Sequence, residues 1–141
     1  MGDYDTDILT WSQRQAELLR RAAAGEQVGN ELDWPNIAEE IEDVGRSELH
    51  AVESQLLQAL LHMLKAEAWP LSSAVGHWRS EARIARINAR KRFAPGMRTR
   101  IDLADIYADA LAALPEDIDG TPPLPLPTTC PVTLADLLSR P

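Results

Sequence analysis

From Asn36 to Ala68 the chain runs without a proline, and Ile37, Ile41, Val44, Leu49, Val52, Leu56, Leu60 and Met63 recur every three or four positions, save for five between Val44 and Leu49. That spacing gathers them on one face of a single long helix. A helix of this length must be covered by whatever else the chain supplies, so the remaining segments read as its cover. Two signals compete to start it. Asp33 can cap it with Trp34 and Pro35 in the first turn, where the missing proline N–H costs nothing. Alternatively Asn36 caps it and Glu39 closes a capping box. Glu39, Glu40, Glu42 and Asp43 then cluster near the positive end of the helix dipole. Gly45 falls on the apolar face and predicts a closely crossing helix. From Leu56 to Leu64 the pattern is apolar on most sides and predicts burial all round. Trp69-Pro70 ends the helix. Trp34, at its mouth, is expected to be mostly buried and to fix where the preceding loop enters.

The flanking segments are also helical by pattern. Asp5 or Thr6 can cap a first helix to about Ala24, with Ile8, Trp11, Leu18, Leu19 and Ala22 on its apolar side and Gly25 as its stop. Ser72 or Ser73 can cap a helix over 73–93 whose seam is Val75, Trp78, Ala82, Ala85, Ala89 and Phe93. A further helix is predicted over 97–114, with Ile101, Ala104, Tyr107, Ala108, Leu111 and Leu114 inward. Residues 115–131 hold six of the ten prolines, so they cannot form regular helix. They also hold Ile118, Leu124 and Leu126, which suits an extended strap lying along the protein better than a polar linker. Thr133 can cap a last helix over 133–139. No alternating strand-length run and no internal repeat is present. The expected fold is all-α: four main helices, over about 6–24, 36–68, 73–93 and 97–114, bundled around the long one, with a Pro-rich strap and a short terminal helix. At 141 residues the chain is expected to be one domain.

Composition narrows the function classes. The net charge of −8 argues against a surface that binds nucleic acid or anionic membrane non-specifically. Cys130 is the only cysteine, so no intrachain disulfide can form, which fits a reducing cytosol. The acidic N-terminus lacks an apolar signal core, and no stretch reaches the roughly 18 apolar residues of a membrane span. A cytoplasmic protein is expected. Four of the seven aromatic residues are tryptophan, pointing to a few fixed anchors in a core otherwise built from Leu, Ile and Ala.

The motifs carry a resemblance. Leu32-Asp33-Trp34, Ala38-Glu39-Glu40-Ile41-Glu42, Gly45-Arg46-Ser47-Glu48 and His62-Met63-Leu64-Lys65 resemble the bacterial proteins grouped as domain of unknown function 29. Asp5…Trp11…Gln15…Leu18-Leu19-Arg20 is similar, as are Trp78 with its arginine-rich helix and the closing Cys130-Pro131-Val132-Thr133…Leu137-Leu138. The likeness spans nearly the whole chain and is loose only in the alanine-rich fourth helix. It implies a compact all-helical domain, and it implies no reaction, cofactor or partner.

Charge is unevenly distributed along the chain. Residues 31–53 carry eight carboxylates against Arg46, and residues 78–100 carry eight cations against Glu81. The two segments are expected to lie side by side and compensate one another. The alternative is that Arg79, Arg83, Arg86 and Arg90 form a basic stripe for nucleic acid or an acidic partner. Nucleic acid is the weaker expectation, because its binders generally carry net positive charge.

A polar cluster of Glu42, Arg46, His50 and His62 is the candidate site for an enzyme or a small-molecule or metal sensor. Row-like i, i+4 pairs on a helix surface would explain the first three residues equally well. His62 is expected to be a core histidine bonded to another helix. Di-iron bundles need Glu-x-x-His pairs, which are missing here; His50 with Glu53 reverses the order, and His77 with Glu81 is a single pair. There is no His-Glu-x-x-His, Gly-x-Ser-x-Gly or phosphate-cradling glycine loop. Neither metal nor cofactor is expected. The leading expectation is a non-enzymatic interaction or regulatory domain whose partner is another protein or a second copy of the chain, with no membrane partner.

Overall fold

A computed structural model describes residues 2–140. The protein is all-α, with six helices among the described residues: α1 (Asp3–Thr6), α2 (Ile8–Ala23), α3 (Trp34–Ala68), α4 (Val75–Arg92), α5 (Leu103–Ala112) and α6 (Leu134–Leu138). Short 3-10 turns occupy Gly29–Glu31 and Pro95–Met97. No described helix is long and apolar enough to cross a membrane. The described residues gather into two compact units, Met1–Arg46 and Ser47–Pro141. The chain of α3 supplies its first thirteen residues to the first unit and the rest to the second.

In the first unit, α2 starts later than expected. Asp7, not Asp5 or Thr6, caps it, its carboxylate accepting from the Thr10 backbone N–H at 3.0 Å. Gly25, at φ +90°, turns the chain out of the helix in the left-handed region that glycine enters freely. Trp11, Leu18, Leu32 and Ile37 form the buried core, with Tyr4, Ala22 and Val28 packed on it. Of the competing starts of α3, the Asp33 cap wins. The Asp33 backbone oxygen accepts from Ile37 N at 2.9 Å, and its carboxylate accepts from the Asn36 amide side chain at 2.7 Å. Asn36 is therefore inside the helix, and the Asn36–Glu39 capping box does not form.

Three expectations for the front of α3 are corrected. Trp34 is 60% exposed, not buried. Trp11 and Leu32 fill the place expected of it, because Leu32 precedes the cap and turns inward while Trp34 follows it and turns out. Ile41 and Val44 sit on the predicted apolar face yet are 69% and 67% exposed. Gly45 has open space around its Cα, so no helix crosses there.

In the second unit, Val52, Leu56, Leu60 and Leu64 of α3 pack with Ala89 of α4, Ile106, Tyr107 and Ala110 of α5 and Leu137 of α6. The predicted α4 seam is largely borne out: Trp78, Ala82, Ala85 and Ala89 are buried. The helix itself begins at Val75, after Ser72 Oγ has accepted from Ala74 N at 3.1 Å. Burial around Leu56–Leu64 is incomplete; Leu57, Leu61, His62 and Met63 are half-buried and Gln58 is exposed.

The fourth predicted helix is shorter and rotated. A 3-10 turn follows Pro95, and Asp102 then caps α5 by accepting from Asp105 N at 3.1 Å. Aspartate favours this end position because its short side chain competes with the helix backbone anywhere further in. Ala104 and Ala108 consequently point outward, and Ile106, Tyr107 and Ala110 point inward.

The proline-rich strap behaves as expected and is tied by backbone groups. Leu124 N donates to Ala68 O at 3.0 Å, Trp69 Nε1 to Thr121 O at 2.8 Å, and the Tyr107 hydroxyl to Pro127 O at 2.5 Å. Proline cannot donate, so side chains and the few remaining N–H groups anchor the segment. Thr133 caps α6 in a reciprocal pair with Asp136.

Candidate functional site

The first unit presents an apolar groove of about 240 Å³ between α2 and the first turns of α3. Trp11, Gln15 and Leu19 recur every fourth residue on α2. Ile37, Ile41 and Val44 recur at i, i+4 and i+7 on α3, so each set faces the groove. Trp11, Gln15 and Ile37 make a buried floor; Leu19, Ile41 and Val44 are exposed walls. Trp34 stands seven residues before Ile41, on the same side of α3.

Polar bonds hold the floor rigid. Trp11 Nε1 donates to Asp33 Oδ2 at 3.0 Å, and Tyr4 meets the Trp11 ring edge-on with centroids 4.8 Å apart. Gln15 spans the connection, donating to Glu31 O at 3.2 Å and accepting from Asp33 N at 2.8 Å. The Tyr4 hydroxyl donates to Glu40 Oε1 at 2.8 Å, and that acceptor pushes its pKa up to about 12.

Asp33 joins the cap to the floor, and the bond it accepts from the Asn36 side chain, with that from Trp11, holds its carboxyl below its usual range. A depressed carboxylate contributes stability that is present above its unfolded pKa, about 3.9, and lost as pH falls through the lower folded value. The first unit is therefore expected to loosen below about pH 4, read as a change in tryptophan fluorescence. Asp33→Asn should flatten that acid limb. An unchanged limb would show that Asp33 does not couple the cap to protonation.

The predicted polar cluster is only partly assembled. Arg46 Nη2 donates to Glu39 at 2.8 Å, Nη1 reaches Glu42 at 3.4 Å, and the guanidinium also grips Asp43. The Asp43 bond raises the already high Arg46 pKa, so this residue stays a cation. His50 is exposed and lines a different hollow, of about 290 Å³, with Glu53, Ser54, Asp105 and Asp109 of the second unit. His62 Nδ1 lies 2.7 Å from Gln58 O of its own helix, which replaces the expected bond to another helix. Twelve residues at about 1.5 Å each part His50 from His62 by about 18 Å along α3, so the two histidines do not share a site. No group of three metal-ligating side chains converges among the described residues.

The basic stripe also divides. Arg79 and Arg83 are exposed. Arg86 donates to Leu137 O, Asp136 O and Ser139 O, at 3.1, 2.9 and 3.2 Å, and so closes the C-terminal end of α6. Arg90 is half-buried, and its Nη1 has no hydrogen-bond partner. Within the second unit, the expected pairing of the acidic segment, there Glu48 and Glu53, with residues 78–100 does not form among the described residues. All the ion pairs among the described residues involve arginines 14, 20, 21 and 46, with none from residues 78–100. Arg46 is satisfied within α3, by Asp43 and Glu42 one turn back and Glu39 two turns back, and these carboxylates have their counter-ion on their own helix.

A larger hollow, of about 370 Å³, lies in the second unit between Trp69–Ser73 and the strap. Its Trp69 N–H and Ala68 carbonyl are already bonded to the strap. Asp119 is the only charged residue lining it, so little there selects an occupant.

The family model described as "Domain of unknown function DUF29" matches residues 4–141. Among solved structures, the chain is similar to an alpha-helical protein of unknown function from Rhodospirillum rubrum ATCC 11170. The two are 33% identical with a TM-score of 0.67, over 98% of this chain and 90% of that one. No curated protein matches the chain.

Proposed function

We propose that this chain, which belongs to the family described as domain of unknown function DUF29, acts as a non-enzymatic cytoplasmic protein-interaction domain through the α2–α3 groove of its first unit. The exposure of Ile41 and Val44, at 69% and 67%, carries this reading. Two large aliphatic side chains on a well-formed helix gain nothing from water, and apolar surface left open beside a rigid floor suits a partner. The exposed Trp34, two turns upstream of Ile41, adds the residue type most enriched among interface anchors. Arg46 and its three carboxylates serve as a structural clamp on this helix. Supporting a cytoplasmic location are the lone Cys130, which rules out an intrachain disulfide, and helices too short or too polar to cross a membrane.

The test compares the parent protein with Ile41→Gln/Val44→Gln as baits in affinity capture from the native cell. Glutamine keeps good helix propensity, and both sites are exposed, so the variant should melt within about 0.5 kcal/mol of the parent. A protein retained in stoichiometric amount by the parent and lost by the variant is expected. Capture identical for both baits, or turnover of phosphoester, ester or amide substrates at ordinary enzymatic rates, would sink the proposal.

A further inference from the structure

We infer that the occupant of the groove is a basic amphipathic helix of a partner protein. This deepens the interaction role proposed above and rests on it. The first argument is charge. Residues up to Arg46 carry eleven carboxylates against four arginines, a surplus of seven, whereas the whole chain has a net charge of −8. Nearly all the excess negative charge thus belongs to the unit that bears the groove. All four of its arginines are already in ion pairs: Arg14 with Glu31, Arg20 with Glu17, Arg21 with Glu26, and Arg46 with its three carboxylates. The surplus of seven is what remains after these four arginines are counted, so a partner bringing cations is favoured and one bringing carboxylates is repelled.

The second argument is shape. The groove runs from Trp11 to Leu19 along α2 and from Ile37 to Val44 along α3, about 10–12 Å at about 1.5 Å per residue. That is two helical turns, the reach of anchors spaced i, i+3 or i+4, and i+7 on a docked helix. Leu19, Ile41 and Val44 supply apolar contact for such anchors, and Glu40 stands at the edge of the same groove. A second copy of the chain docking symmetrically by this face would oppose two surpluses of seven negative charges, and like charges facing one another disfavour that contact.

The probe is a designed Leu/Lys amphipathic peptide of about eighteen residues, five helical turns, titrated into the full chain by calorimetry. Controls are the same peptide with Glu for Lys, one with Gln for Lys, and a scrambled Leu/Lys sequence. Saturable one-to-one binding of the basic peptide is expected, weakening as salt rises because exposed charges are screened over about 8 Å at 0.15 M. Ile41→Gln/Val44→Gln should weaken it by at least about tenfold, which is about 1.4 kcal/mol. Equal or tighter binding of the Glu or Gln peptide, lost in the same variant, overturns the basic partner and leaves the interaction role standing. Binding of the basic or the scrambled peptide that ignores the variant overturns the groove as the site. A concentration-dependent dimer in sedimentation, abolished by the variant, makes the occupant a second copy and overturns the inference. If no peptide responds to the variant and capture does not either, the interaction role falls with it.

Discussion

Trp11→Ala is expected to destabilise the first unit by about 3–5 kcal/mol, the usual cost of truncating a buried tryptophan, while Trp34→Ala should change stability by about 0.5 kcal/mol or less. The sequence places both indoles beside the start of α3, and burial separates them: Trp11 is 7% exposed and Trp34 60%. Trp11 also loses its bond to Asp33 and its edge-on contact with Tyr4. Against a typical total stability of about 5–15 kcal/mol, a loss of this size is a large fraction. Urea denaturation of both variants checks the contrast. Trp11→Phe should fall between, because it keeps ring burial and gives up the N–H donor. If Trp34→Ala proved as costly as Trp11→Ala, the exposed-anchor reading of Trp34 would fail, and with it part of the case for an interaction face.

In the second unit, Leu56→Ala is expected to cost about 2–5 kcal/mol. Leu56 is fully buried at the centre of the cluster that joins Val52 and Leu60 to Ala89, Tyr107 and Leu137. Removing three carbons there leaves a cavity that helices packed from several directions cannot close completely. Leu56→Met nearly conserves volume and should cost less than about 1.5 kcal/mol. Ile84→Ala, at a position 48% exposed on α4, serves as the outward-facing comparison and should have little effect. A Leu56→Ala protein that unfolds at the parent's urea midpoint would contradict this core.

The two parts of α3 differ in how their apolar residues are covered. The apolar repeat runs from Ile37 to Val44 and resumes from Leu49 to Leu60. Past Ser47 it is covered by α4, α5 and α6, whereas at Ile41 and Val44 it is left open. The exposed turns are also the acidic ones, with Glu39, Glu42 and Asp43 clamped by Arg46. The first turn of α3 holds no acidic residue, so pairing with Arg46 rather than the helix dipole offsets these carboxylates.

What the sequence by itself determined was local. The all-α class, the uninterrupted α3, the stop at Gly25, the break at Trp69-Pro70, the extended strap and the Thr133 cap each depend on residues within a turn or two of one another. Helical periodicity, capping and proline's missing donor act at that range. The motifs around Asp33-Trp34 and Gly45-Arg46 identified the family for the same reason, being contiguous. Tertiary structure alone decided which parts of each apolar face were covered. Trp34, Ile41 and Val44 carry the same pattern as buried neighbours, and only the absence of an element over them leaves them in water. It also decided that Arg86, some fifty residues away in sequence, closes α6. Burial and ion pairing depend on what arrives from elsewhere in the chain, and periodicity along one helix holds no record of that arrival.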